Sequence, residues 1–476
     1  MGSLFSALDS ASQSLQAFER AMDVTQNDVT NANSPGYANQ VPELISQDFQ
    51  TDTGVNAGGV QEITQDTRSS YADTAVQQQL SLQGMYQQLQ TSLAPLQNVF
   101  DVSSSSPIPS ALNQLFQSFS QWSTDPGNSN YQSAVMDAAQ ATAQAINQSA
   151  VQLSQIQTST NQDIQSTVTE INQDAAQIQT YNEQIAQNPT PDAGLSAQLE
   201  NTLENLSGLA NIQVVSGIGG QVTVLLGGQT ALVEGNQVNA IQAVNDTASN
   251  AGNPGAAPTI SIEDSNGNDI TSQVTSGSLA GLLSVSNTLL PSLIGGGQQV
   301  GGLNTLAQGL ADSVNNLLEQ GTTSTTPPYA AGTALFTYNA AVPAGVAGSL
   351  AVSSTITGSQ LAAGTPGPPY SVNGTALTLA GLDSTAAGPV DGQGFTQYFG
   401  SLTSAVGYAA SNASTEATAQ SGLVAQAQSL QQQVQGVSLD QEAIQLVQFQ
   451  SSYQAASKVV TVIDDTLQTL MTMIPT

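Results

Sequence analysis

The stretch "NANSPGYANQ", residues 31–40, interrupts about thirty residues of helical spacing at the start of the chain. Pro35 disfavours the α conformation at Ser34, and Gly36 permits a turn. We therefore expect the first helix to end near Asn33. The residues predicted to form a hinge after this helix are Asn33, Pro35, Gly36 and Tyr37.

Apolar residues on both sides of the long middle region follow spacings of three and four, which place them on one face of a helix. In the first helix, the predicted assembly interface comprises Leu4, Leu8, Leu15, Phe18, Met22 and Val29. A second helix is predicted to begin after Ser438, an N-cap with Gln441 three residues on. Its interface residues are Leu446, Phe449, Tyr453, Val460, Ile463, Leu467, Leu470 and Ile474.

These two apolar stripes have two interpretations. On pattern alone, a heptad stripe is more often the internal core of a helical bundle than an interface between subunits. Both stripes lie at chain ends, just outside a helix breaker, which favours assembly. We expect the two end helices to pair with each other and with neighbouring subunits.

The middle of the chain combines long helices with short strands. Neither glycine nor proline occurs between Gly127 and Pro189, which predicts a helix on the order of 80 Å long. Other helices are expected near 76–100, where Pro95 should kink or end the helix, and at 303–319 and 394–435. Strands are expected only in the middle, at "IQVVSG", "QVTVLLGG" and "TISIEDSNGNDITSQV", with a hairpin turn at Asn266-Gly267. Proline and glycine should divide 322–393 into short strands.

The predicted fold class is therefore α+β and mainly α. It comprises paired N- and C-terminal coiled-coil helices, a body of long bundled helices, and a β-rich insertion in the middle of the chain. The predicted domain division is a terminal assembly domain (1–33 with 438–476), a helical body (34–210 with 275–321 and 394–437), a β-hairpin region of that body (211–274), and a β-rich outer region or domain (322–393).

Charge excludes several classes of partner. Three basic residues stand against 34 acidic ones, for a net charge of −31. Binding to nucleic acid or to an anionic membrane surface normally requires clusters of Lys and Arg, so we expect neither partner. The acidic balance has two interpretations: lineage bias combined with solubility, or a surface that works in acid, where carboxylates are largely protonated.

The sequence predicts no catalytic, cofactor-binding or metal-ligating residues. The absence of cysteine and histidine rules out thiol catalysis, Ser-His systems and Cys-type zinc sites. In "DSNGND", residues 264–269, glycine occupies the fourth place rather than the sixth, and no glutamate closes a twelve-residue calcium loop. The chain start lacks the features of a secretory signal, and no stretch is apolar enough to span a membrane, so neither is expected.

Both ends of the chain carry a resemblance to a known family. The stretch from Leu4 to Gln40 resembles the N-terminal signature of the axial proteins of the bacterial flagellum, which include the rod, hook and hook-associated proteins. The positions that match are Asn27, Asn31, Asn33, Pro35, Gly36 and Tyr37. The C-terminal "GVSLDQEAIQLVQFQSSYQAASKVV" is similar to the C-terminal signature of the hook-associated members.

The resemblance implies a structural protein at the junction between flagellar hook and filament. It also implies export without a cleaved signal to the extracellular flagellum, where the protein would assemble as a ring of about eleven subunits. Implied partners are other copies of the chain, the hook protein, a second junction protein (hook-associated protein 3), and a cytoplasmic export chaperone that binds the C-terminal region. Alternatives are another axial protein (hook protein, other hook-associated protein or flagellin) or a secreted acid-tolerant hydrolase with a helical stalk.

Overall fold

Long helices form most of the protein in its computed structural model, which describes residues 2–50, 56–101, 107–187, 192–246, 253–367, 369–384 and 390–472. The helices are α1 (Gly2–Asn31), α2 (Ser70–Val99), α3 (Pro107–Thr124), α4 (Ser129–Gln187), α5 (Ala193–Leu209), α6 (Ser278–Ser284), α7 (Leu290–Ile294), α8 (Gly302–Gln320), α9 (Val346–Ser349), α10 (Gly374–Gly381), α11 (Phe395–Gln435) and α12 (Leu439–Thr472). The strands are β1 (Gln40–Gln50), β2 (Asn56–Asp66), β3 (Ile212–Ser216), β4 (Val222–Leu226), β5 (Thr230–Glu234), β6 (Gln237–Val238), β7 (Gln242–Asp246), β8 (Thr259–Glu263), β9 (Phe336–Thr337) and β10 (Ala351–Val352). The prediction of a mainly helical protein with paired terminal helices and small sheets in the middle is confirmed.

Helix α4 is the longest element and connects two hydrophobic cores. Its 59 residues span about 90 Å at 1.5 Å per residue, as the absence of glycine and proline predicted. Its first half, from Val135 to Leu153, packs with α2, α3, α8 and the start of α11 around Phe119 and Trp122. Its second half, from Ile164 to Tyr181, belongs to a separate core.

The second core lies between α4, α5, α6 and two small antiparallel sheets. One sheet has the strand order β3-β4-β5-β6, and the other pairs β7 with β8. The predicted turn at Asn266-Gly267 is confirmed: Gly267 has a φ of 79°, and the Asp264 carboxylate accepts hydrogen bonds from the backbone N–H groups of Asn266 and Asn268 at 2.8 and 2.9 Å. Asp264 therefore organises the hairpin turn that the sequence predicts for this stretch.

The expectation that strands occur only in the middle of the chain is wrong. Strands β1 and β2 form an antiparallel hairpin directly after α1, with Val41 opposite Gln65 and Ile45 opposite Gln61. Pro42 and the glycines of β2 obscured the alternation. A two-stranded ribbon is marginal in water unless another element packs on it, and α1 packs against both strands.

Region 322–393 contains fewer strands than expected. Its described residues form the two-residue strands β9 and β10, isolated bridges, the short helices α9 and α10, and three 3-10 turns at Pro343–Gly345, Gly358–Gln360 and Leu382–Ser384. Its side chains Leu335, Phe336 and Leu379 join the same core as α3, α4 and α8. Burial against helices, rather than pairing between strands, therefore holds this proline- and glycine-rich segment.

Other helix boundaries agree more closely with those predicted from the sequence. Helices α8 and α11 match the predicted 303–319 and 394–435 within one residue at each end. Helix α2 begins six residues before the predicted start, at Ser70, because Ser69 caps it through a hydrogen bond to the Ala72 N–H group. It ends four residues after Pro95. No helix within the described ranges is long and apolar enough to cross a membrane.

Candidate assembly interface

The terminal helices α1 and α12 pack along each other, apart from the two cores of the body. Neither core includes a described residue of α1 or α12. The buried residues of α1 are Ala17, Ala21, Thr25 and Asp28, which recur at spacings of four and three. Three of these side chains are small, which allows close approach by α12, β1 and β2.

The predicted interface residues differ in how far the single chain covers them. Phe449 and Leu467 are buried, whereas Val29 and Leu470 are exposed. Half-buried positions are Leu4, Leu8, Leu15, Phe18, Met22, Leu446, Tyr453, Val460 and Ile463. Ile474 lies outside the described residues. The pairing of α1 with α12 therefore covers most of these side chains only in part.

Helix α12 has a second apolar face that sequence reasoning missed. Ile444, Val447 and Val462 are 68%, 62% and 60% exposed, and we call them the outer stripe. Ile444 and Val462 lie 18 residues apart, which is five helical turns, so they share one line along the helix. At 100° per residue this line is nearly opposite Phe449 and Leu467. The signal that could have revealed it was a second set of apolar residues half a turn from the first.

A groove of about 660 Å³ runs between the two terminal helices. Small residues such as Ser10, Ser14 and Ala455 line it beside Phe18 and Ile463. The groove and the outer stripe together leave the terminal pair with more apolar surface than one chain covers. Surfaces of this kind mark sites of protein association.

The turn after α1 is anchored to the helix that it terminates. The Tyr37 hydroxyl donates to Asp28 Oδ1 at 2.6 Å, and the Gln40 backbone N–H group donates to Asp28 Oδ2 at 3.1 Å. Gly36 has a φ of 72°, and a Cβ atom on it would lie 2.5 Å from the carbonyl oxygen of Ala197. Gly36 is therefore required both by its backbone conformation and by close contact with α5.

Arg68 connects this turn to the body. Its Nη2 donates to the Gly36 carbonyl oxygen at 2.7 Å. Its Nη1 lies 3.8 Å from Asp73 Oδ2 and 3.7 Å from Glu200 Oε2, and its Nε lies 3.9 Å from Asp66 Oδ2. The predicted hinge residues Gly36 and Tyr37 thus lie in a network that joins α1 to α2 and α5.

The end of α11 completes the network. The Gln435 side-chain amide donates to Asp73 Oδ1 at 2.8 Å and accepts from the Ser69 N–H group at 2.8 Å, while its backbone carbonyl oxygen accepts from the Asn39 N–H group at 2.9 Å. Gln431 donates to Asp73 Oδ1 at 2.8 Å and to Glu204 Oε1 at 3.2 Å. These contacts join positions up to 366 residues apart, which is why spacing along the chain did not reveal them.

Carboxyl groups in this network have raised pKa values. Burial, with the charges of Asp73 and Glu204, raises the pKa of Glu200 to about 7, although Arg68 opposes the shift. Burial also raises the pKa of Glu204, where the hydrogen bond from Gln431 opposes the shift. For Asp28, burial raises the pKa against its hydrogen bonds from Tyr37 and Gln40. The network therefore holds carboxyl groups where ionisation is disfavoured.

Comparisons with known proteins agree with this architecture. Residues 93–336 match the family model described as the helical domain of flagellar hook-associated protein FlgK. Residues 431–473, which include all of α12, match the C-terminal region of the flagellar basal body rod FlgEFG proteins. The flagellar hook-associated protein 1 of Bacillus subtilis (strain 168) is 26% identical over 98% of each chain.

A solved structure has the same fold. The flagellar hook junction protein FlgK from Burkholderia pseudomallei superposes with a TM-score of 0.65 at 17% identity, over 76% of this chain and all of that chain. The helical-domain match covers more than half of this sequence. The chain therefore belongs to the FlgK family of flagellar hook-associated proteins, which are structural proteins of the hook-filament junction in the bacterial flagellum.

Proposed function

We propose that the protein forms a ring at the hook-filament junction through its terminal helices, and that this ring allows the filament to assemble. The observation that carries the proposal is that α12 is apolar on two faces while its own chain covers one. A helix that is apolar on most sides is stable when other elements surround it. Neighbouring subunits are the natural source of that cover in an axial structure.

The proposed partners follow from this arrangement and from the family. Other copies of the chain, about eleven in a closed ring, would cover the outer stripe. The hook protein would lie on one side and a second junction protein (hook-associated protein 3) on the other, in the extracellular flagellum. A cytoplasmic export chaperone would bind the C-terminal region before export, because exposed apolar residues such as Ile444 and Val462 favour aggregation.

We further propose the domain division drawn from the sequence. Residues 1–33 with 438–476 form the assembly domain, in which the predicted interface residues contact neighbouring subunits and Asn33 to Tyr37 form the hinge. The remainder forms the body, with 322–393 as its outer part. We assign the β1–β2 hairpin to the assembly domain as well, because it packs on α1.

The protein is proposed to be structural and not an enzyme. A cavity of about 700 Å³ between α4, α8 and α9 is lined by Gln, Ser, Thr, Asn, Gly and apolar residues without a titratable side chain. Among the described residues, no group of three or more His, Cys, Asp or Glu could hold a metal ion. Acid-base catalysis requires titratable groups that converge in a pocket.

Substitution of the outer stripe tests the proposal. A double variant, Ile444→Gln with Val462→Gln, is expressed in a strain that lacks the gene, beside a control of Gln448→Asn with Gln454→Asn at exposed polar positions of the same helix. We expect the first variant to be folded and exported, yet to leave hooks without filaments and flagellin in the medium. The control should restore filaments. Normal filaments in the first strain would overturn the proposed role of the outer stripe.

Truncation of the chain provides a second test of the proposed assembly domain. A chain that ends at residue 438 should retain the body's circular dichroism and thermal transition, because α12 contributes no residue to either core in the part of the chain described. The truncated protein should fail to join the axial structure. Filament growth with this chain would contradict the proposed assembly domain.

A further inference from the structure

The joint between the terminal pair and the body contains far more negative than positive charge. We define this acidic joint as Arg68 with the six carboxyl groups connected to it or to each other by contact or charge: Asp28, Asp66, Asp73, Glu200, Glu204 and Glu442. The joint therefore contains one guanidinium and six carboxyl groups, of which Asp66, Asp73 and Glu200 lie within 4 Å of the guanidinium. The other two basic side chains, Arg20 and Lys458, are exposed.

We propose that the acidic joint is a proton-dependent clasp, which holds the terminal pair firmly to the body when Asp28, Glu200, Glu204 and Glu442 are protonated and loosens as these four groups ionise. The proposal concerns the isolated chain, so it holds whether or not the chain assembles into a ring.

The carboxyl groups come from elements on both sides of the joint. Asp28 belongs to α1, Glu442 to α12, and Asp73 to α2. Asp66 ends β2, whereas Glu200 and Glu204 lie on α5. Arg68 lies within 4 Å of Asp66 on the side of the terminal elements and of Asp73 and Glu200 in the body. Ionisation of Glu200 therefore adds negative charge opposite Asp66 across the joint.

Burial strengthens this repulsion. Asp28 is 0% exposed, Glu442 1%, and Asp73 and Glu200 5% each. Charges that water cannot reach interact more strongly than charges at the surface, and each costs free energy to bury without a matching partner. The joint is therefore sensitive to the number of protons that it holds.

Most of the donors in the joint are neutral. Gln77 donates to Glu200 Oε1 at 3.0 Å, and Gln431 and Gln435 donate to Asp73 as described above. Arg68 Nη1 is buried without a hydrogen-bond partner, because the carboxylate oxygens lie 3.7–3.8 Å from it. Glutamine amides thus orient the carboxyl groups without cancelling their charge.

Glu442 has no cationic partner. Its Oε2 is buried without a hydrogen-bond partner, as is the neighbouring Asn39 Oδ1. Burial, then the charge of Asp28, raises the pKa of Glu442, and the Asn39 amide opposes the shift. Both unpartnered atoms are hydrogen-bond acceptors. Protonation of the Glu442 carboxyl group supplies the donor that is otherwise missing between them.

The direction of the pH effect follows from the raised pKa values. A carboxyl group whose pKa is higher in the folded than in the unfolded chain stabilises the fold below its unfolded pKa, and this contribution is lost as the pH rises through the folded pKa. For Glu200 that loss extends from about its ordinary value of 4.5 to about 7. Asp28, Glu204 and Glu442 shift in the same direction. The joint is therefore tightest in acid.

A distance measurement across the joint tests the proposal. The chain has no cysteine, so Gln426→Cys on α11 and Gln454→Cys on α12, both exposed, accept spin labels at these two positions only. Pulsed electron paramagnetic resonance then gives the distance distribution in the full monomeric chain at pH 4.5 and pH 8. We expect a narrow distribution at pH 4.5 that broadens as the pH rises through about 7.

Charge-neutral variants identify the cause of the broadening. Glu200→Gln with Glu442→Gln should keep the distribution narrow at both pH values, whereas the exposed control Glu319→Gln should broaden like the parent chain. Arg68→Gln should move the broadening to lower pH. Circular dichroism confirms folding, and Glu204→Gln alone replaces the double variant if the latter unfolds. Equal widths at both pH values in the parent chain, or equal broadening in the glutamine variant, would overturn the proposal.

Discussion

Helices α4 and α12 are both long and both carry apolar residues at helical spacing, yet they meet different surroundings. In α4, 19 of 59 residues are buried, and they belong mainly to the two cores. In α12, three of 34 residues are buried, and two apolar faces remain partly or largely open. Helical spacing therefore predicts a helix, while the number of apolar faces indicates whether one chain can bury it. One chain buries most of the apolar residues of α4, and it leaves most of those of α12 partly or largely exposed.

The largest loss in free energy of unfolding should come from removing a core side chain of the body. Trp122 is fully buried in the first core, and its Nε1 donates to the Pro126 carbonyl oxygen at 3.2 Å. Trp122→Ala should lower the free energy of unfolding by about 3–5 kcal/mol, because it leaves a cavity and removes this hydrogen bond. Urea denaturation of the monomer measures the change. A loss below about 1 kcal/mol would mean that this core does not stabilise the body as described.

A smaller loss is expected at the turn that separates the two regions. Gly36→Ala places a side chain at a φ of 72° and 2.5 Å from a backbone oxygen of α5. The left-handed conformation alone costs about 1–2 kcal/mol, and the close contact should increase the loss. Gly235→Ala is the matched control, because its φ is 57° and no atom lies within 4 Å of the added Cβ. Denaturation midpoints that fall equally in both variants would show that contact with α5 is unimportant.

One carboxyl group in the body allows a comparison with the acidic joint. Burial and the charge of Glu170 raise the pKa of Asp174 to about 6, so its ionisation opposes folding as the pH rises through that value. Asp174→Asn should stabilise the chain at pH 8 by up to about 1 kcal/mol, after allowance for solvent screening. It should have little effect at pH 4. Asp163→Asn, at an exposed position of the same helix, is the control, and an equal gain in thermal stability there would contradict the assignment.

The smallest effect on the monomer should come from the outer stripe. Val462→Ala removes a side chain that is 60% exposed, so the free energy of unfolding should change by less than about 0.5 kcal/mol. Thermal unfolding of the monomer measures this change. Destabilisation comparable with that of a core substitution would show that the single chain already buries this face.

Sequence reasoning was most successful where local signals agreed. The absence of breakers from Gly127 to Pro189 predicted α4, and Pro35 with Gly36 predicted the end of α1, which falls at Asn31. The hairpin β1–β2 was missed because Pro42 and Gly59 weaken the local strand pattern, and its packing on α1 is a tertiary effect. The acidic joint could not be predicted, since its residues are brought together only by the folded chain.

Hydrogen exchange of the monomer compares α4 with the terminal pair within one sample. We expect strong amide protection through α4 and weak protection throughout α1 and α12, whose helices lack part of their cover in the single chain. Protection of α12 equal to that of α4 in dilute monomer would contradict this expectation, and would mean that the terminal pair is complete without neighbouring subunits.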